Sequence, residues 1–277
     1  MMFESLRFLA RATALALLAA LLVLATGRLA LAEAAWSDVS EVVSVEVISG
    51  WERADGARVA GLRFRLEPGW KTYWRSAGAS GIAPRLDWQG SENVSGIDTL
   101  WPTPVVFPQG NALSIGYDRD FVLPLVVRPQ IAGRDIVLSG QIDIGVCADI
   151  CLPATLTVTA TLNGDGDEDT TVRAALDDQP RAGVSTLSCA TRPTPNGMAL
   201  TAEIDMPALG ETEVVVFEVS DPRLWVTDAI VHRSGDRLTA TSELMLAGGG
   251  AVSVDRDDLR VTVIGPTEAV EFRGCGG

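Results

Sequence analysis

Residues 136–160 read IVLSGQIDIGVCADICLPATLTVTA. Ile136, Leu138, Ile142 and Ile144 fall at even-numbered positions before Cys147 and Cys151, and Leu156, Val158 and Ala160 continue the pattern beyond them. A period of two marks β-strands with one buried face, because successive side chains point to opposite sides of a sheet. A bond between the two cysteines forces the chain to reverse between these runs. Were residues 147–151 extended, their Cα atoms would lie about 13 Å apart, whereas a disulfide needs about 4.4–6.8 Å. Ala148-Asp149-Ile150 is then the tip of a hairpin, with two sulfurs side by side at the rim of a sheet.

The same period recurs upstream in Val43, Val45 and Val47 and in Leu62, Phe64 and Leu66. Turn chemistry separates the runs at Asp55-Gly56, Glu67-Pro68-Gly69, Gly78 to Gly81, Pro108-Gln109-Gly110 and Ala132-Gly133. Residues 163–170 then break the composition: Asn-Gly-Asp-Gly-Asp-Glu-Asp-Thr carries no apolar anchor and reads as an exposed linker, followed by a brief helix over Val172 to Leu176. Asn163, Asp165 and Asp167 alternate as at the start of a calcium loop. Glu168 and Ala174, however, stand where that loop needs a glycine and a bidentate glutamate, so a solvated charge run is the better account. Seven further strands are expected at Leu187–Thr191, Met198–Ile204, Glu213–Val219, Leu224–Val231, Leu238–Leu246, Leu259–Ile264 and Ala269–Phe272. The fold class is all-β, with two immunoglobulin-like sandwiches in series. The expected division is a signal peptide over 1–34, a first sandwich over 35–162, a linker and short helix over 163–182, and a second sandwich over 183–277.

Composition narrows the chemistry. The 277 residues carry 22 Lys plus Arg against 36 Asp plus Glu, a formal charge of -14, which argues against nucleic acid as a partner. His232 is the one histidine and Lys71 the one lysine, so histidine metal cages and lysine Schiff-base chemistry are not expected. No cofactor and no metal are assigned. His232 reads as a strand surface residue, and Trp70, Tyr73, Trp74, Trp88 and Trp101 read as core completion ahead of a ligand groove. At the N-terminus, Arg7 and Arg11 precede the apolar run Ala14 to Ala25 and the small residues Ala30, Ala32 and Ala34, the layout of an export signal. No later stretch is apolar enough to span a membrane. The exported chain is expected in an oxidising compartment, the periplasm, where paired cysteines form disulfides.

Loop length sorts the four cysteines. A Cys189–Cys275 bond closes most of the second sandwich and removes about 4.6 kcal/mol of unfolded-state entropy, so this pair reads as a structural staple. The alternative is a free or intermolecular Cys275 in a Gly-rich tail. The ring between Cys147 and Cys151 is worth only about 2 kcal/mol. Stability is a weak reason for it, and short exposed disulfides exchange with visiting thiolates. From spacing alone, an exchanging pair and a structural clip both stand, and a four-cysteine zinc site is disfavoured by the oxidising compartment.

The segments Gly69-Trp70-Lys71-Thr72-Tyr73-Trp74, Gly78 to Gly81, Trp101-Pro102, Phe107-Pro108, Gly116-Tyr117 and Leu123-Pro124, with Val146-Cys147-Ala148-Asp149-Ile150-Cys151-Leu152-Pro153, resemble the N-terminal periplasmic domain of the DsbD family of thiol:disulfide interchange proteins. The likeness is greatest to the ScsB-like branch. It covers about residues 36–162 and implies that Cys147 and Cys151 are the catalytic pair, relaying electrons to or from other exported proteins. It also implies a cap loop near residues 106–117, with Phe107, Leu113 and Tyr117 as covers. The implied partners are periplasmic thioredoxin-fold oxidoreductases and a separate membrane electron donor, since full-length members continue into a membrane carrier and a thioredoxin-like domain.

The chain is thus read as a periplasmic thiol-disulfide oxidoreductase of the electron-relay type. The competing reading is a non-catalytic binding or assembly module with two structural disulfides. No cation adjoins the pair in the sequence, and Asp149 between the sulfurs disfavours a thiolate, so activation is expected from the partner complex.

Overall fold

The computed structural model describes residues 39–78, 81–109, 112–164 and 166–276; the export signal expected over 1–34 lies outside them. Ten strands build the first sandwich: β1 (Val43–Glu52), β2 (Arg58–Leu66), β3 (Lys71–Tyr73), β4 (Arg85–Asp87), β5 (Val94–Thr99), β6 (Val105–Gln109), β7 (Ala112–Tyr117), β8 (Phe121–Pro129), β9 (Ile136–Cys147) and β10 (Cys151–Leu162). One sheet runs β1-β2-β8-β5. The other runs β10-β9-β3-β7-β6, with β4 also on β9. Leu62, Leu123 and Leu125 of the first sheet and Ile136, Leu138 and Ile142 of the second are fully buried. A cavity of about 10 Å³ between them is lined by Phe64 and Leu123 on one side and Ile142 and Ile144 on the other, the face-to-face packing that the period of two demands.

The helix α1 (Thr170–Asp177) starts where Asp169 caps it, its carboxylate accepting from the Thr171 and Val172 amides. Val172 is fully buried against Trp51 and Val59, so the helix is anchored on the first sandwich.

The second sandwich comprises β11 (Arg181–Ala182), β12 (Leu187–Thr194), β13 (Gly197–Asp205), β14 (Val214–Glu218), β15 (Leu224–Val226), β16 (Ile230–Ser234), β17 (Arg237–Leu246), β18 (Arg260–Ile264) and β19 (Ala269–Arg273). Its sheets run β11-β19-β18-β14 and β12-β13-β17-β15, with β16 also on β17. The strand expected over Leu224–Val231 is two. Thr227 interrupts the ladder: the Ser242 hydroxyl donates to its carbonyl at 2.6 Å, and the Glu243 amide donates to its hydroxyl at 2.9 Å. Leu200, Ile204, Leu238 and Leu244 pack against Val215, Phe217, Val261 and Phe272 from the facing sheet.

The sandwiches share a junction. Trp74, Ile115 and Tyr117 of the first pack with Val216, Ile264 and Ala269 of the second. Beside them Arg75 donates to Glu218 at 2.9 and 3.0 Å and to Glu271 at 2.5 Å. These ionic side chains are mostly buried, which ties the two sandwiches by a directional contact as well as an apolar one.

Candidate redox site

β9 and β10 form the hairpin expected from the sequence. Cys147 and Cys151 are register partners and disulfide-bonded, and Ala148-Asp149-Ile150 is the tip, closed by the Ala148 amide donating to the Ile150 carbonyl at 3.0 Å. Ile142, Ile144 and Val146 point into the sandwich, so Cys147, on the opposite parity, points to the outer face. It is nonetheless only 3% exposed, whereas Cys151 is exposed and Ile150 beside it is 62% exposed. One sulfur is sheltered and the other is presented.

The shelter is Tyr73 on β3, the next strand. Its hydroxyl lies 2.8 Å from Cys147 Sγ and 3.6 Å from Cys151 Sγ. Disulfide sulfur carries no proton, so the phenol is the donor. Two constraints hold the ring there. The Thr72 hydroxyl donates to the Gly145 carbonyl at 2.9 Å, tying β3 to β9. Gly145 leaves room for the ring, since a Cβ there would stand 3.1 Å from a Tyr73 ring carbon and 2.9 Å from Ile82 Cβ. Tyr73, Ala77 and Cys147 form a small buried cluster of their own.

Lys71, two residues before Tyr73, corrects the expectation that no cation adjoins the pair. It is the register partner of Cys147 across β3 and β9, and directly opposed side chains share a face. Its ammonium stands over the Phe107 ring, 4.6 Å from the centroid. Sequence reasoning passed over Lys71 as chemistry and grouped Tyr73 with core aromatics, because each lies more than 70 residues from the cysteines. The available signal was the Lys-Thr-Tyr alternation, which puts both polar ends on one side of a strand.

The three residues expected to cover the sulfurs lie on the hairpin of β6 and β7, which borders β3 on the side away from β9. They do not act together. Phe107 is buried beneath the Lys71 ammonium. Leu113 is 38% exposed, and its backbone backs onto Gly78. Tyr117 faces the junction with the second sandwich, stacks on Phe121 and donates to the Pro102 carbonyl at 2.9 Å. Burial pushes its phenol well above the usual tyrosine range, so it remains a donor.

Cys189 and Cys275 are disulfide-bonded and buried within the core of the second sandwich. The C-terminal segment is held, with the Cys275 amide donating to the Arg256 carbonyl at 3.0 Å and the Cys189 amide to the Gly276 carbonyl at 2.9 Å. His232 is exposed on β16, and among the described residues no cluster of three His, Cys, Asp or Glu side chains is arranged to hold a metal.

Residues 40–163 match the family model described as thiol:disulfide interchange protein DsbD, N-terminal. This segment belongs to the DsbD N-terminal family. The match begins just before β1, ends just after β10, and contains Lys71, Tyr73, Phe107, Cys147 and Cys151. Among solved structures, the N-terminal periplasmic domain of ScsB from Proteus mirabilis aligns with a TM-score of 0.59 and 20% identity, over 84% of this chain and 92% of that one. That is a likeness of fold, and its extent takes in strands beyond the DsbD-type segment. No protein of curated function matches the sequence.

Proposed function

We propose that the chain is a periplasmic thiol-disulfide relay in which Cys147 and Cys151 exchange electrons with other exported proteins. The observation that carries this reading is the asymmetry of the pair. Cys151 is presented at the rim beside the exposed Ile150, while Cys147 is sheltered with a hydroxyl donor on its sulfur. A donor thiolate attacks Cys151 Sγ in line with the disulfide. A donor–Cys151 mixed disulfide forms, the old bond breaks, and Cys147 leaves as a thiolate that accepts from Tyr73. The donor's second thiolate attacks its own sulfur in that mixed disulfide and releases Cys151. The donor is oxidised by two electrons and the pair is reduced. In the forward direction Cys151 attacks a client disulfide, and Cys147 attacks Cys151 Sγ to release the reduced client.

The partners that fit are thioredoxin-fold proteins, with electrons supplied by a separate membrane carrier, and residues 1–34 are the export signal. Family membership of residues 40–163 supports the reading. The test is trapping. In the exported protein, Cys147→Ala leaves Cys151 without its resolving thiol and is expected to accumulate mixed disulfides with periplasmic proteins, whereas Cys151→Ala accumulates none. Two equally blank variants, together with equal resistance of both disulfides to a dithiothreitol titration, would leave only a structural clip.

A further inference from the structure

We propose that Lys71 is the counter-ion of the Cys147 thiolate, and that it couples the redox state of the pair to the hairpin of β6 and β7. The inference rests on the reading of Cys147 and Cys151 as an exchanging pair and adds a residue and a switch to it.

Lys71 is the only lysine in 277 residues, and it stands opposite Cys147 in register on the outer face of the sheet. Directly opposed Cβ atoms in an antiparallel pair are about 4.5–5.5 Å apart, so a four-carbon stem brings the ammonium within reach of the sulfur. In the disulfide state neither sulfur carries charge. The ammonium then rests on the π face of Phe107, 4.6 Å from the centroid, and holds that buried ring of β6 to β3. Reduction by a donor dithiol delivers two electrons. Uptake of one proton leaves a thiol on Cys151 and a thiolate on Cys147. A full anion attracts an ammonium more strongly than a ring quadrupole does, so Lys71 transfers from Phe107 to Cys147 Sγ. The other titratable groups at this end of the sheet are the Tyr73 hydroxyl, already a donor to that sulfur, and the exposed Asp149 at the tip. The cation lowers the cost of releasing Cys147, and its departure from Phe107 loosens the hairpin once the pair is reduced.

The experiment uses the exported protein with both sandwiches present. With Cys151→Ala, so that Cys147 is the lone thiol, thiolate absorbance near 240 nm is followed against pH. Lys71→Met is expected to raise the Cys147 pKa by about 1 unit, tenfold less thiolate at neutral pH. Lys71→Arg is expected to restore most of that shift, and Phe107→Leu, which frees the ammonium, to lower the pKa by a few tenths of a unit. With both cysteines present, amide exchange over residues 105–117 is expected to be at least about threefold faster in the reduced protein than in the oxidised one, a difference that Lys71→Met abolishes. An unchanged pKa in Lys71→Met overturns the counter-ion, and a redox difference in exchange that survives Lys71→Met overturns the coupling. Failure of the relay reading looks different: no mixed disulfide through Cys151 in any variant, with the Lys71-dependent pKa shift intact.

Discussion

Replacing Tyr73 by phenylalanine removes one oxygen and leaves the ring that fills the space between Gly145 and Ala77. The lost contact is the 2.8 Å hydrogen bond to Cys147 Sγ. To a neutral disulfide sulfur such a bond is worth about 0.5–1 kcal/mol, and to a charged acceptor about 1.5–3 kcal/mol. Only the difference acts on the barrier, since a leaving thiolate gathers charge as the disulfide breaks. That difference is about 1–2 kcal/mol, or roughly a 5- to 30-fold slower reduction. The assay is reduction of the purified protein by dithiothreitol at fixed pH, quenched with an alkylating reagent and resolved by mass. The buried Cys189–Cys275 bond serves as an internal reference in the same tube. A Tyr73→Phe protein whose Cys147–Cys151 bond is reduced within twofold of the parent rate would show that the hydroxyl does not stabilise the leaving sulfur.

The two disulfides are expected to rank oppositely in stability and in exchange. Alanine at both Cys189 and Cys275 opens a closure of 86 residues in sequence separation and should cost about 2–4 kcal/mol in urea unfolding, while alanine at both Cys147 and Cys151 should cost no more than about 2 kcal/mol. Arg75→Met strips the buried Glu218 of its guanidinium partner and leaves Glu271 with Arg260 and Arg273; a loss of about 2 kcal/mol is expected, below the usual cost of breaking a buried pair because those contacts survive. Asp169→Ala removes the cap of α1 and should cost about 1 kcal/mol at pH 7. The Asp169 carboxyl is held below its usual range, first by the Thr171 hydroxyl and then by the helix amides, partly offset by desolvation. Its contribution is therefore complete above pH 3.8 and fades as pH falls through the lowered value, so parent and variant should converge in acid urea titrations.

Local pattern made much of this protein readable. Alternation at Ile136, Leu138, Ile142 and Ile144 announced β9, the short cysteine spacing demanded the reversal at Ala148-Asp149-Ile150, and the composition break after Leu162 marked the passage to α1. All three depend on a residue and its near neighbours, where periodicity and chain reach act directly. The break at Thr227 escaped notice because it is made by Ser242 and Glu243 on another strand. Lys71 and Tyr73 escaped for the same reason: nothing within ten residues of either implies a sulfur. Tyr117, expected over the cysteines, faces the junction because its register with Thr72 points it at Trp74 and Val216. Sheet order and register are set by distant segments burying apolar surface together, a choice that hydropathy alone leaves degenerate. Placing β3 beside β9 is what gives an otherwise ordinary hairpin disulfide its phenol and its ammonium.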